Sequence, residues 1–185
     1  MMNPFSLPTE LEVGGELYKI RTDYRAVLDI LTAYSDPELD AADKTQVLVE
    51  ILYIDYETIP PERIGEAVKQ ATWFIDANLP ADNKPKPVSM NWFKDAPVLI
   101  PEINKNIGTE VRSVKYMHWW TFFGAYMQIG GDGLYSSILN VRQKKAKGEK
   151  LEKWESKFYK ENQALCDLDW EQHQKEREAV EKLIG

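Results

Sequence analysis

Residues 116–131 read YMHWWTFFGAYMQIGG, a run without Asp, Glu, Lys or Arg that gathers Trp119, Trp120, Phe122, Phe123 and Tyr126 within about two helical turns. At helical spacing Tyr116, Trp119, Trp120, Phe123 and Met127 form one apolar stripe. Met117, Ala125 and Ile129 carry apolar character around the rest. The pattern predicts a central core helix covered on more than one side, with those five stripe residues as its core positions. The run is shorter than the roughly 20 apolar residues a bilayer span needs, and His118, Thr121 and Gln128 interrupt it. Gly130 and Gly131 are expected to end the helix in left-handed backbone conformations.

Elsewhere the period changes. Residues 11–21 alternate Leu11 and Val13 with glutamates, turn at Gly14-Gly15 and return through Leu17 to Ile20, which predicts a β-hairpin. Helices follow: one from Thr22 or Asp23 to about Tyr34 with Val27, Leu28, Leu31 and Tyr34 inward, one over 41–54, and one from Pro61 to about Ala77. Residues 79–90, with Pro80, Pro85 and Pro87, form a loop. A helix over 91–107 opens with Trp92 and Phe93, and another spans about 133–144. The fold class is mainly α: a helical domain with a small N-terminal hairpin over residues 1–146, then a long, charged, amphipathic helix over 147–185.

That last segment carries Leu151, Trp154, Phe158, Leu165 and Leu168 in a seven-residue pattern, interrupted by Glu161 and broken at Gln172 and Lys175. A terminal helix has few neighbours to bury an apolar stripe. These five residues are therefore expected to face a partner, and the chain is expected to self-associate.

Charge sharpens the picture. The chain carries a formal net charge of −7, which argues against a uniformly basic nucleic-acid binder. The charge is polarised: residues 1–80 hold fifteen acids against six bases, whereas residues 142–160 hold eight bases against three acids. The basic run, interleaved with Trp154, Phe158 and Tyr159, is the one stretch resembling a nucleic-acid surface. A solvated lysine face on an amphipathic helix is the simpler reading. The single cysteine, Cys166, excludes an intramolecular disulfide framework. The N-terminus has no basic and apolar signal pattern, and no segment is long and apolar enough for a membrane span. The expected location is cytoplasmic.

Catalytic chemistry finds little material. His118 and His173 are the only histidines and stand in different settings, so neither an HExxH helix nor a multi-histidine metal site can be built. His118, beside two tryptophans, reads as a hydrogen-bonded core residue. Residues 130–133, GGDG, lack a preceding strand and the phosphate-loop lysine, so they read as a helix–helix turn. Acidic pairs such as Asp40 with Asp43 are solvated helix-start charges, and no histidine has a claim to partner Cys166. Neither an enzyme nor a cofactor is expected.

Three segments together are similar to a known family: residues 91–96, NWFKDA; residues 115–123, KYMHWWTFF; and residues 137–142, SILNVR, followed by KGEKL at 147–151. They resemble the gene-product-fifteen family of tailed bacteriophages and prophages, and LEVGGELYKIRTDYRAVLDIL near the N-terminus is similar more loosely. The resemblance implies a phage tail-module protein, with the role of a tail assembly chaperone or scaffold acting with the tape measure protein and the tail tube protein in the cytoplasm of the bacterial host. A structural component kept in the tail or head–tail connector is the alternative, and a nucleic-acid-associated protein using residues 142–160 is the third reading.

Overall fold

The computed structural model describes residues 5–80 and 89–168, which carry eight α-helices and one two-stranded antiparallel sheet. They group into two compact units. The first holds 5–80 and 103–128 of the described residues, the second 89–102 and 129–168.

The first unit opens with β1 (Glu10–Val13) and β2 (Glu16–Lys19), joined through Gly14 and Gly15 at φ +63° and +86°. Two left-handed residues make the hairpin turn whose twist suits flanking strands. Leu11, Val13 and Tyr18 point inward, while Glu12, Leu17 and Lys19 are exposed. Ile20 continues into an isolated antiparallel bridge with Tyr53.

Asp23 caps α1 (Tyr24–Ser35) by accepting from the Arg25 backbone N–H. The buried face is Tyr24, Val27 and Ile30, rotated from the expected one; Tyr34 is exposed. Tyr24 sets that rotation, because its ring stacks on Phe122 at 4.4 Å between centroids and only 5° between planes. A capping box of Asp40 and Asp43 starts α2 (Ala41–Leu52). Its last carbonyls are satisfied from outside: Arg21 donates to Glu50 O and Ile51 O at 3.0 and 2.8 Å. A 3₁₀ turn at Pro61–Arg63 leads into α3 (Ile64–Ile75), whose small Ala67 and Ala71 are fully buried, and α3 packs against β1.

The aromatic run forms α5 (Trp119–Met127), shorter than expected. Its buried residues are Trp119, Phe122 and Ala125, whereas Tyr116 and Met127 are each 58% exposed and Trp120 and Phe123 are half-buried. Tyr116 precedes the helix, and its hydroxyl is hydrogen-bonded to the Thr22 hydroxyl; Met127 closes the last turn. The indole N–H groups explain the tilt. Trp119 donates to Ile75 O and Trp120 to Phe74 O, both at 2.8 Å, so these side chains lie across the C-terminal end of α3. Gln128 ends the helix, and Gly130 and Gly131 are not left-handed.

His118 is the N-cap of α5. Its Nδ1 accepts from the Trp120 N–H at 3.0 Å, which requires the proton on Nε2, placed to donate to Pro8 O at 3.0 Å. The imidazole is buried in a T-shaped contact with the Phe74 ring. One strand-like bridge, Asp23 to His118, ties this cap to the start of α1: Tyr24 N–H donates to Met117 O and Trp119 N–H to Thr22 O.

In the second unit, Asn91 Oδ1 accepts from the Phe93 and Lys94 N–H groups, which holds residues 91–94 as a turn. Helix α4 (Ala96–Ile107) therefore starts later than expected; it opens in this unit and its last turn belongs to the first. Next come α6 (Leu134–Ala146), α7 (Lys153–Glu161) and α8 (Gln163–Cys166), mutually packed. The long C-terminal helix is thus broken. The turn after α6 places Gly148 at φ +68°, and Asn162, at φ −127° and ψ 31°, separates α7 from α8. The rest of the expected helix, including Gln172, His173 and Lys175, lies outside the described residues.

Burial pushes the His118 pKa below its ordinary value, with the Pro8 hydrogen bond opposing the shift more weakly. The folded state therefore favours the neutral ring. Its contribution to stability is complete above the unfolded value of about 6.5 and is lost as pH falls through the lower folded value. In denaturant melts at pH 7.5 and 5, His118→Asn, which keeps a capping oxygen, is expected to show a smaller loss between the two than the unsubstituted chain.

Candidate functional site

The basic run at residues 142–160 sits on α6, α7 and the turn between them, and the structure divides it into two populations. Arg142 is interior. Its guanidinium makes a bidentate pair with Asp95 at 2.7 and 2.8 Å, with both side chains 2% exposed. It also donates to Ser89 O, Leu165 O and Cys166 O, so the planar fork fastens two separate stretches of chain to α6. Lys144 pairs with Glu155 at 2.6 Å, and Asn140 donates to the same carboxylate oxygen. The Lys144 hydrogen bond, then the Glu152 N–H, hold the Glu155 carboxyl below its ordinary range, and Glu155 in turn raises the Lys144 pKa. Lys145 reaches Asp167 at 2.6 Å and the Tyr159 hydroxyl at 2.8 Å.

These contacts decide where the apolar stripe goes. Leu151, Phe158 and Leu165 are partly buried against the core formed by Ile138, Val141 and Cys166, and Leu168 is 2% exposed. The stripe expected to meet a partner is thus mostly the second unit's own interior. It is inward because the chain turns after α6 and α7 folds back, with Glu155 anchored to Lys144, presenting the Phe158 side to α6 and α8. Trp154 alone of the five points out, at 53% exposure.

What remains outside is a lysine row. Lys153, Lys157 and Lys160 fall within about 60° of one another around α7, opposite buried Glu155. With Lys150, Leu151, Glu152 and Ser156 they line an open groove of about 700 Å³. Lys157 makes one long, exposed pair with Glu161 at 3.8 Å, worth little. The result is a cationic helix face with one exposed indole at its margin. Sequence reasoning found Trp154 but grouped it with the wrong neighbours.

The other candidates offer less. Cys166 is buried, and that burial raises its thiol pKa, the condition of an unreactive cysteine. Among the described residues no group of three or more His, Cys, Asp or Glu side chains could hold a metal ion, and no helix is long and apolar enough to cross a membrane. Residues 130–133 connect α5 to α6 as a helix–helix turn, with Gly133 the N-cap of α6.

The family model for the Bacteriophage Gp15 protein matches residues 5–168. The chain belongs to the bacteriophage Gp15 family. The match takes in the hairpin, all eight helices, the Arg142–Asp95 pair and the lysine row, so in this Gp15 protein both units fall within the family's extent. No curated protein and no solved structure matches the chain.

Two substitutions separate interior from surface in this Gp15 protein. Phe158→Ala should cost about 3 kcal/mol in denaturant unfolding, whereas Trp154→Ala should stay within about 0.5 kcal/mol. Asp95→Asn leaves a buried guanidinium without its counter-charge and should cost about 3 to 5 kcal/mol. Replacing Arg142 and Asp95 together by Leu should cost less than the sum of the two single changes, because the uncompensated charge is gone.

Proposed function

We propose that this Gp15 protein is a non-catalytic tail assembly chaperone or scaffold. It acts in the cytoplasm of the bacterial host and holds the tape measure protein and the tail tube protein while a phage tail is built. The observation that carries the reading is membership of a phage family, joined to a surface suited to contact rather than chemistry: Trp154 exposed beside the Lys153, Lys157 and Lys160 row. An amphipathic aromatic at the margin of a row of flexible cations supports binding of moderate strength, which an assembly factor that must later leave requires.

The segregated charge supports a steering role. A lysine row attracts acidic partners at long range and loses that attraction in salt, so it accelerates encounter more than it tightens the final complex. A component retained in the tail or head–tail connector would instead need an extensive, permanently buried interface.

Co-expression with the tape measure protein, followed by pull-down and light scattering, tests the proposal. The expected result is a complex with several copies of this chain per tape measure, together with absence of its peptides from mass spectra of purified virions. The chain found in virions, with no tape-measure complex, would move the assignment to a structural component.

A further inference from the structure

The lysine row of α7 has a complementary surface elsewhere on the same chain. In the hairpin, Glu10 lies opposite Lys19 and Glu12 opposite Leu17. The antiparallel bridge of Ile20 to Tyr53, with the Ile54 N–H donating to Lys19 O at 3.0 Å, sets Ile54 opposite Lys19. Strand alternation then brings Leu17, Lys19 and Ile54 to one outward face. Leu17 is 67% exposed and Ile54 45%.

Lys19 has Glu10 as its cross-strand opposite charge, while Glu12, Asp55 and Glu57 are exposed and enter no ion pair among the described residues. Of these, Glu57 also acts on the neighbouring Tyr56 phenol, which is pushed up first by Glu50 and then by burial and Glu57. On this face Leu17 and Ile54 flank Lys19, which has Glu10 across the hairpin, Glu12 lies opposite Leu17, and the exposed Asp55 and Glu57 follow Ile54 in the chain. The α7 face is a lysine row with one exposed indole at its margin.

We infer that the two faces bind one another between copies of this chain, Trp154 of one copy packing on Leu17 and Ile54 of the next while Lys153, Lys157 and Lys160 meet Glu12, Asp55 and Glu57. The occupant is a second copy rather than nucleic acid, because the chain's own net charge of −7 repels polyanions at long range while it supplies a matched acidic surface. The contact joins unlike surfaces, so each copy uses one and offers the other, and association proceeds head to tail into rings or open arrays. Two small, charge-rimmed patches make a weak interface, sensitive to salt and concentration. This inference stands apart from the tail-assembly reading.

Sedimentation velocity of the full chain over a concentration series, at low salt and again at about 0.5 M salt, is the test. The unsubstituted chain should associate with rising concentration at low salt and dissociate at high salt, and Trp154→Ala should weaken association about tenfold. Lys153→Glu/Lys157→Glu/Lys160→Glu should be monomeric alone, as should Glu12→Lys/Asp55→Lys/Glu57→Lys. Their equimolar mixture should associate again, because each reversed face then finds an opposite charge on the other variant; a contact within one chain could not produce mixed assemblies. Circular dichroism confirms that each variant is folded, and if a triple variant is not, the salt series and Trp154→Ala decide. A chain monomeric at every concentration, association that survives high salt and Trp154→Ala, a mixture of folded variants that stays monomeric, or association only on adding single-stranded DNA would each overturn the inference.

Discussion

A guanidinium removed from water must have its charge balanced and its donors matched, and Arg142 meets that demand with one carboxylate and three carbonyls. The requirement organises the second unit. Ser89 and Asp95 come from one stretch, Leu165 and Cys166 from another, and both must converge on α6 for the charge to be tolerated. Against that framework α7 lies with its Glu155 reaching Lys144, its Phe158 side closing over Ile138 and Val141, and its lysines left outside. Such a pair adds little net stability over a well-packed apolar alternative. Its effect is to penalise arrangements in which any of these pieces is out of place.

The first unit solves a different problem with the same economy of partners. Its aromatic helix carries two indoles and a histidine, each with a polar edge that cannot be buried unmatched. All three are matched by backbone: Trp119 and Trp120 take the last carbonyls of α3, and His118 spans the α5 N-terminus and Pro8. These bonds fix the helix against α3, and the Tyr24–Phe122 stack fixes it against α1. The orphan carbonyls of one helix and the polar edges of another thereby cancel.

How much of this was legible in the sequence follows from what is local. The hairpin was readable because strand period and a Gly-Gly turn are written within ten residues, and helix positions were readable from capping residues and prolines. Helix faces were less so. The choice between Tyr116, Phe123 and Met127 on one side and Phe122 and Ala125 on the other lies in contacts with α1 and α3, distant in sequence. The terminal stripe was misassigned for a related reason: seven-residue spacing marks apolar residues but not their neighbours, and Asn162 carries no sequence signal strong enough to announce the break after α7. Arg142 was counted among solvated lysines, yet it is the only arginine of the eight bases in that run, and arginine is the cation suited to a buried bidentate pair.

The division of that basic run changes what its charge can do. A row of eight cations would track a polyanion; three interior or paired ones at 142, 144 and 145 cannot, and what is left on α7 is a compact row about two turns long. A patch of that length matches a protein surface better than an extended backbone, and an exposed indole at its margin gives it a short-range component that lysines alone lack. The first unit carries more acids than bases, whereas the second is nearly balanced and gathers its exposed lysines on one face of α7, which gives contact with that face a direction. Direction is what a subunit needs if successive copies or partners must add in one orientation, since like faces then repel and only unlike faces meet.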